Sequence, residues 1–465
     1  MSSWTTGLDI AYRALQAEQQ AIDVVNHNIA NANTPGYSRQ VANMATTQPA
    51  AVISLTGEIG QMGTGVRVTH IERQRSSFTD LQIRDENYSL GQWEKTRDAL
   101  QQVEVVFNEP SDAGLNSLMS RFWQSWQDLT NSPQDAGARR ALVEQADSLA
   151  VSVNRVYSQL TSIQNDTDNQ IKLKTDSVNQ IAQQVASLNV KISQAEQMGL
   201  RANDLRDQRD LLIDDLSRVV RLSYYETADG AVNIFLGSHT LVVKDRVDAL
   251  ANGIDVNGFA TVTWDSDGSP VSITDGELYG LQQARDVDVP AVMNDLDALA
   301  SGLITRINAL HTAGFGLDNT TNLNFFNGTG ASTIAVNPTL KSNPEKVATA
   351  SAANSIGDNS VALGISGLQT TLTMSGNTST FGQFFASMMS RLGVDSQRAD
   401  MMANNQKLLV DHLKRQRETL SGVSLDEETT KLIEYQRAYE AAARVINVVD
   451  EMLDLLINRV GLVGR

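Results

Sequence analysis

The chain has 465 residues, is 41% hydrophobic but only 5% aromatic, and carries a net charge of −17. At roughly 100–200 residues per domain this allows two to four domains, with a core that is mainly aliphatic and alanine-rich and so suits long helices better than a compact enzyme. The excess of 54 acidic over 37 basic residues argues against nucleic acid and anionic membranes as partners, and the absence of cysteine removes disulfides, thiolate metal sites and cysteine nucleophiles.

The N-terminus, MSSWTTGLDIAYRALQAEQQ, has neither a basic start nor a continuous apolar stretch. It does not read as a Sec signal peptide, so an exported form would keep this end intact. No apolar run approaches the ~20 residues of a membrane helix.

Residues 5–33 predict one amphipathic helix. Leu8, Leu15, Ile22 and Ile29 recur every seven residues, with Ala11 and Val25 in a companion column that Glu18 interrupts. The following Asn31-Ala32-Asn33-Thr34-Pro35-Gly36-Tyr37 ends it, because the residue before proline leaves the helical region and glycine frees the backbone. Residues 40–80 read as short strands and turns, and 82–107 and 112–130 as helices. A very long helix is expected over 137–198, with Ala146, Val153, Leu160, Thr167, Lys174, Ile181, Leu188 and Ala195 in one column. Its second column runs through Leu142, Leu149, Val156 and Ile163 and then shifts to Ile171, Val178, Val185 and Ile192, as a straight helix drifts against a strict heptad. Such a helix spans about 90 Å, with a break expected near Thr167 and Lys174.

Residues 219–275 change to a β pattern. Hairpin turns are expected at Asp229-Gly230 and Gly237-Ser238, and a further hairpin joins Ala260–Trp264 to Val271–Thr274 across Asp267-Gly268. Helix resumes over 289–312. Residues 314–380, rich in Gly, Asn, Ser and Thr, read as loops and short elements, and 381–420 as helix. In the last helix Leu425, Leu432, Tyr439, Ile446, Leu453 and Val460 keep a seven-residue spacing, with Tyr435, Ala442, Val449 and Leu456 beside them. A heptad at both ends favours a coiled coil between them.

The fold class that follows is α+β, mainly α. Residues 1–39 and 421–465 form a terminal coiled-coil domain. A helical rod domain with short β elements takes 40–220 and 282–420, and a small antiparallel β domain is inserted at 221–281.

Catalytic chemistry is not legible. His27, His70, His239, His311 and His412 lie too far apart in sequence for a helix-borne metal motif, and no P-loop occurs. Gly60-Gln61-Met62-Gly63-Thr64-Gly65 precedes a strand-like segment, so hairpin glycine is the better reading than phosphate binding. Asp265-Ser266-Asp267-Gly268 lacks the remaining ligands of a calcium loop. Asp207, Asp210, Asp214 and Asp215, beside Arg206 and Arg209, read as a solvated, salt-bridged helix face. No cofactor or metal is expected, and the informative residues are those of assembly.

The segment from Leu15-Gln16-Ala17 through Asn28-Ile29-Ala30-Asn31-Ala32-Asn33-Thr34-Pro35-Gly36-Tyr37 resembles the N-terminal signature of flagellar rod, hook and hook-associated proteins. Gln436-Arg437-Ala438-Tyr439-Glu440-Ala441 with Asp450-Glu451-Met452-Leu453 resembles their C-terminal signature. Ser421-Gly422-Val423-Ser424-Leu425-Asp426-Glu427-Glu428, Tyr37-Ser38-Arg39-Gln40 and the long helix are similar to the hook-associated members. At 465 residues the chain is short for that group, which implies an outer domain that is reduced or absent.

The resemblance implies a non-enzymatic building block of the bacterial flagellum, secreted through the flagellar type III apparatus and assembled as a ring at the hook–filament junction. The implied partners are the hook protein, the second junction protein, further copies of the chain and an export chaperone on the C-terminal helix, with no nucleic acid and no membrane insertion. The paired termini would line the channel, inside the helical domain and the β insertion. The implied assembly interface is Leu8, Leu15, Ile22, Ile29, Leu425, Leu432, Tyr435, Tyr439, Ile446, Val449, Leu453 and Leu456, next to the signature Asn28, Asn31, Asn33, Thr34, Pro35, Gly36 and Tyr37. A two-helix seam is marginal in water, so its ordering is expected mainly on assembly. The alternatives are a hook or distal-rod subunit, which would lie along the hook, and a secreted adhesin using flagellar export, which would need a site or large insert in the middle.

Overall fold

The computed structural model describes residues 3–53 and 59–455. Leu456 and Val460, both placed in the C-terminal columns above, lie outside the described residues. In chain order the elements are helix α1 (Ser3–Asn31), strands β1 (Gln40–Thr46), β2 (Ala50–Ile53), β3 (Ile59–Met62) and β4 (Val66–Arg73), then helices α2 (Ser77–Phe107), α3 (Leu115–Asn131), α4 (Ala136–Gln197) and α5 (Asn203–Val219). There follow β5 (Ser223–Glu226), β6 (Val232–Leu236), β7 (His239–Val243), β8 (Arg246–Val247), β9 (Leu250–Ile254) and β10 (Ala260–Trp264). The rest comprises α6 (Gly276–Gln283), α7 (Val289–His311), β11 (Phe326–Asn327), β12 (Ala335–Val336), α8 (Pro338–Ser342), α9 (Ser360–Gly367), α10 (Phe381–Ser421) and α11 (Leu425–Asp454). The fold is mainly helical with small antiparallel sheets.

The chain divides into two compact units. A terminal unit takes Met1–Asn87, Val178–Ala249 and Leu408–Arg465, and a central unit takes Tyr88–Ser177 and Leu250–Lys407. This differs from the three-part division read from the sequence. The β-rich stretch 221–281 is not one body. The four-stranded sheet β5–β8 falls in the terminal unit, where Asn189 of α4 donates to the carbonyls of Val232 and Lys244 and accepts from Val232 N. The β9–β10 hairpin falls in the central unit, where Asp168 of α4 accepts from Ala260 N and pairs with Arg285, whose guanidinium also donates to the Ala260 carbonyl. Strand β10 pairs with β9, and the hairpin expected across Asp267-Gly268 is present in reduced form, as an antiparallel bridge between Thr263 and Pro270 with hydrogen bonds from Trp264 N to Ser269 O and from Val271 N to Val262 O.

Helix α4 runs without the expected break. Thr167 and Thr175 are buried and turn their hydroxyls back onto the carbonyls of Ile163 and Ile171, so neither leaves an unsatisfied group in the core. Lys174 bonds Glu277 at 2.5 Å. The column shift occurs as read: Leu142, Leu149 and Val156 are buried on the early turns, and Ile171, Val178, Val185 and Ile192 on the later ones.

The core of the central unit draws on α2, α3, α4, α7, α9 and α10. Its centre is not purely aliphatic. Phe122, Trp126, Phe325 and Phe326 pack edge-on or tilted against one another with ring centroids 4.9–6.5 Å apart. The few aromatic residues are concentrated here, because the segment 314–380 supplies little regular structure but inserts Phe325, Phe326, Ile334, Leu340 and Val347 at about 0–1% exposure. Its irregular backbone is satisfied by side chains. Asn308 donates to Phe326 O and accepts from Phe325 N and Phe326 N. The fully buried Arg139 donates to the carbonyls of Pro133 and Val347 and to Thr349 Oγ1.

His311 belongs to the same scheme. Its Nδ1–H donates to Leu323 O at 2.7 Å and its Nε2 accepts from Ala348 N at 3.0 Å, so the neutral ring is required. Burial depresses its pKa from 6.5 to about 4. Between those values the unfolded chain binds more protons than the folded one, so stability is complete above the upper value and falls as pH drops toward the lower. The central unit should lose up to about 3 kcal/mol between pH 6.5 and 4. Urea unfolding followed by tryptophan fluorescence tests this, because Trp93, Trp123, Trp126 and Trp264 all lie in this unit. His311→Gln should flatten the dependence, and an equally steep loss in that variant would refute it.

Candidate assembly surface

Helix α1 ends where the sequence places its stop. The turn after Asn31 passes through Gly36, which has φ +79° and would place any Cβ 3.3 Å from Leu211. The backbone conformation favours glycine, and the approach of Leu211 on α5 leaves little room for a Cβ. At the other terminus, α10 closes at Ser421 and α11 opens at Leu425, with Ser424 Oγ accepting from Glu427 N and Asp426, Glu427 and Glu428 in the first turn. The cap and the carboxylates both favour a helix start.

These two turns meet at Asn28. Its Nδ2 donates to Gln40 O (2.9 Å) and Glu428 Oε2 (2.8 Å), and its Oδ1 accepts from Tyr37 Oη (2.7 Å) and Gln40 N (2.9 Å). Every hydrogen-bonding position of this buried amide is used. Burial, with Asp204 and Asp207 nearby, pushes the Tyr37 pKa up, so its hydroxyl stays protonated as the donor to Asn28. Arg39 continues the lock with Nε on Glu428 Oε1 at 2.8 Å and its backbone N–H on Ser421 O. Glu428, read from the sequence only as part of a segment, is 1% exposed and ties the start of α11 to the end of α1.

A second polar layer lies on α5. Asp207 accepts from Ser38 N and Ser38 Oγ, both at 2.8 Å, and from Arg73 Nη1 at 2.7 Å. Asp210 pairs with the same Arg73. Asp214 pairs with Arg84 and with Arg417 near the end of α10, and Asp80 takes Arg75 through both oxygens. Burial opposes ionisation of Asp210, but Arg75, Arg73 and Arg84 outweigh it and hold the pKa of its carboxyl below the ordinary range. The acidic run on α5 is therefore not a solvated face. Asp207 and Asp214 are buried, and their partner arginines come from β4, α2 and α10. Sequence spacing carried no signal for this, since the partners stand more than 100 residues from Asp207 and Asp214 along the chain.

Above the lock, α1 packs along α11 and also against β1 and β4. With two neighbours, its buried face is wider than one heptad seam. Ala11, Ala17, Ala21, Val24, Val25 and Asn28 are buried, while Leu15, Ile22 and Ile29 are half-buried and Leu8 is 38% exposed. On α11, Leu432, Tyr435, Ile446, Val449 and Leu453 are half-buried, whereas Leu425 and Tyr439 are exposed. Of the signature residues, Asn33, Thr34 and Pro35 are exposed and Asn31 is half-buried, its Nδ2 returning to the carbonyl of His27. Among the described residues no group of three or more metal-ligating side chains occurs.

Family models match each of these regions. Residues 8–37 match "flagella basal body rod protein", 416–459 match "flagellar basal body rod FlgEFG protein C-terminal", and 100–326 match "flagellar hook-associated protein FlgK helical domain". Flagellar hook-associated protein 1 of Bacillus subtilis is 32% identical over the whole of both chains. The chain belongs to the flagellar hook-associated protein 1 (FlgK) family. The Salmonella typhimurium relative of the same name is 26% identical, covering 96% of this chain and 98% of that one. The hook junction protein FlgK of Burkholderia pseudomallei has the same fold, with a TM-score of 0.64 at 14% identity over 73% of this chain and 100% of that structure. As a FlgK family member the chain is a structural, hook-associated component of the flagellum.

Asp207→Ala should leave the buried Ser38 amide without its acceptor and Arg73 with Asp210 as its remaining carboxylate, and destabilise the terminal unit by about 1–3 kcal/mol. Calorimetry should show a lowered terminal-unit transition while the tryptophan-reported central transition stays in place. A shift of both transitions, or of neither, would count against the network as the organising contact of this unit.

Proposed function

We propose that this FlgK family member is the non-enzymatic subunit that joins hook to filament, exported by the flagellar type III route and assembled as a ring on the hook tip. The observation that carries this reading is the pairing of α1 with α11 over a fully satisfied polar lock at Asn28. That arrangement brings both chain ends into one helical element and leaves apolar side chains of α11 exposed for neighbours. In the proposed ring Leu8, Leu15, Ile22, Ile29, Leu425, Leu432, Tyr435, Tyr439, Ile446, Val449 and Leu453 contribute to the axial contacts, with Leu456 beyond the described residues. The hook protein lies on one side and the second junction protein on the other. The same α11 face, before assembly, is the ligand for an export chaperone, laid as a helix in a hydrophobic groove.

Immunogold labelling of isolated flagella should place the protein at a single band between hook and filament. A deletion strain should make hooks and shed flagellin monomers into the medium. Labelling along the hook would instead support a hook or rod subunit, and normal filaments in the deletion strain would refute the junction role.

Leu453→Asp should weaken binding of the purified chain to its chaperone by about tenfold or more, the effect expected of charging an anchor position in an apolar groove. Unchanged affinity by calorimetric titration would move the docking site elsewhere.

A further inference from the structure

Among the described residues of the α1–α11 seam, Glu18 carries a buried atom without a hydrogen-bond partner. Glu18 stands in the companion column of α1, between Ala11 and Val25, and its Oε2 is buried with no hydrogen-bond partner among the described residues. Burial raises its pKa, and Glu434 on the facing helix adds like charge. Tyr435, the next residue on that helix, is itself held protonated by burial and by Glu434 and Glu18. The notch is thus acidic and half-buried, Arg39 reaches it only through its field at Tyr435, and the unpartnered Glu18 carboxylate costs free energy until a positive charge pairs with it.

The complementary surface is a second, exposed stripe on the same α11. Val445, Val448, Met452 and Leu455 repeat at steps of three and four residues and are 39–49% exposed, forming a second apolar stripe on α11. Arg437 and Arg444, one heptad apart, flank the start of that stripe. Both are exposed. Arg437 has no ion-pair partner among the described residues, and Arg444 only reaches Glu440 at 3.8 Å. An exposed apolar stripe edged by two exposed arginines and a notch with an unpaired carboxylate are two different surfaces, so their union is heterologous and propagates from copy to copy.

We propose that the Arg437/Arg444 face of α11 docks on the α1–α11 seam of a second copy of this chain, where one of the two arginines pairs with Glu18. The inference rests on the reading of the protein as a self-assembling flagellar subunit and names the contact that closes it. It also assigns Glu18 a role in timing: the seam is weakened by the unpaired carboxylate in the free chain and completed only when a neighbour arrives.

Charge exchange in the full-length protein tests it, scored as the number of copies retained on isolated flagella. Glu18→Arg should reduce retention by at least about tenfold, as expected when a desolvated ion pair is turned into a repulsion. Adding Arg437→Glu or Arg444→Glu to Glu18→Arg should restore it, and which of the two does so identifies the partner. Wild-type retention of the single variant, or failure of both exchanges, would overturn the proposal. An unchanged terminal-unit transition by calorimetry confirms that the unit holding Glu18 still folds in Glu18→Arg. In the purified chain, Glu18→Gln should slow amide exchange in α1 by removing the unpaired charge, and equal exchange would also count against it. Where wild-type protein sits on the flagellum is read separately, so an error in the junction reading is visible without any variant.

Discussion

The terminal unit depends on a carboxamide and the ion pairs beneath it. Asn28 joins the end of α1 to β1 and to Glu428 at the start of α11, while α5 holds the same region through Asp207, Asp210 and Asp214. Segments from three distant parts of the chain converge there. Buried ion pairs contribute little net stability, because desolvation offsets attraction, but they penalise every misaligned alternative heavily. A subunit whose two ends must meet in one register gains more from that selectivity than from a larger core.

The central unit meets the same problem by different means. Its irregular segment places bulky apolar side chains in the core, so its backbone polar groups must be satisfied without sheet or helix ladders. Arg139, Asn154, Asn308 and His311 supply the missing partners. The buried histidine is the pH-sensitive member of that set, since both nitrogens are committed and only the neutral ring fits.

Stability is distributed unevenly within the terminal pair. Its base is locked by hydrogen bonds to charged groups, whereas the seam above has half-buried side chains, a second exposed stripe and an unpaired carboxylate at Glu18. This gradient fits the assembly proposed above, in which the lock sets the register and neighbours complete the seam.

The local elements were legible in the sequence because their signals are local. Heptad spacing marked α1, α4 and α11, Pro35-Gly36 marked the end of α1, and the column shift within α4 followed from helical geometry. The expected break near Thr167 failed because a threonine hydroxyl can satisfy itself on the preceding turn, which residue type alone does not reveal. The division of the β-rich stretch at Ala249, the burial of the α5 aspartates and the lock around Glu428 were decided by tertiary structure. Each depends on a pairing across a long stretch of chain, and an acidic residue carries the same letter whether it faces water or a buried arginine. Periodicity in the sequence determined that the two ends form helices suited to pairing. Only the folded chain decided which face is covered, which is left open, and that Asn28 holds the pair in place.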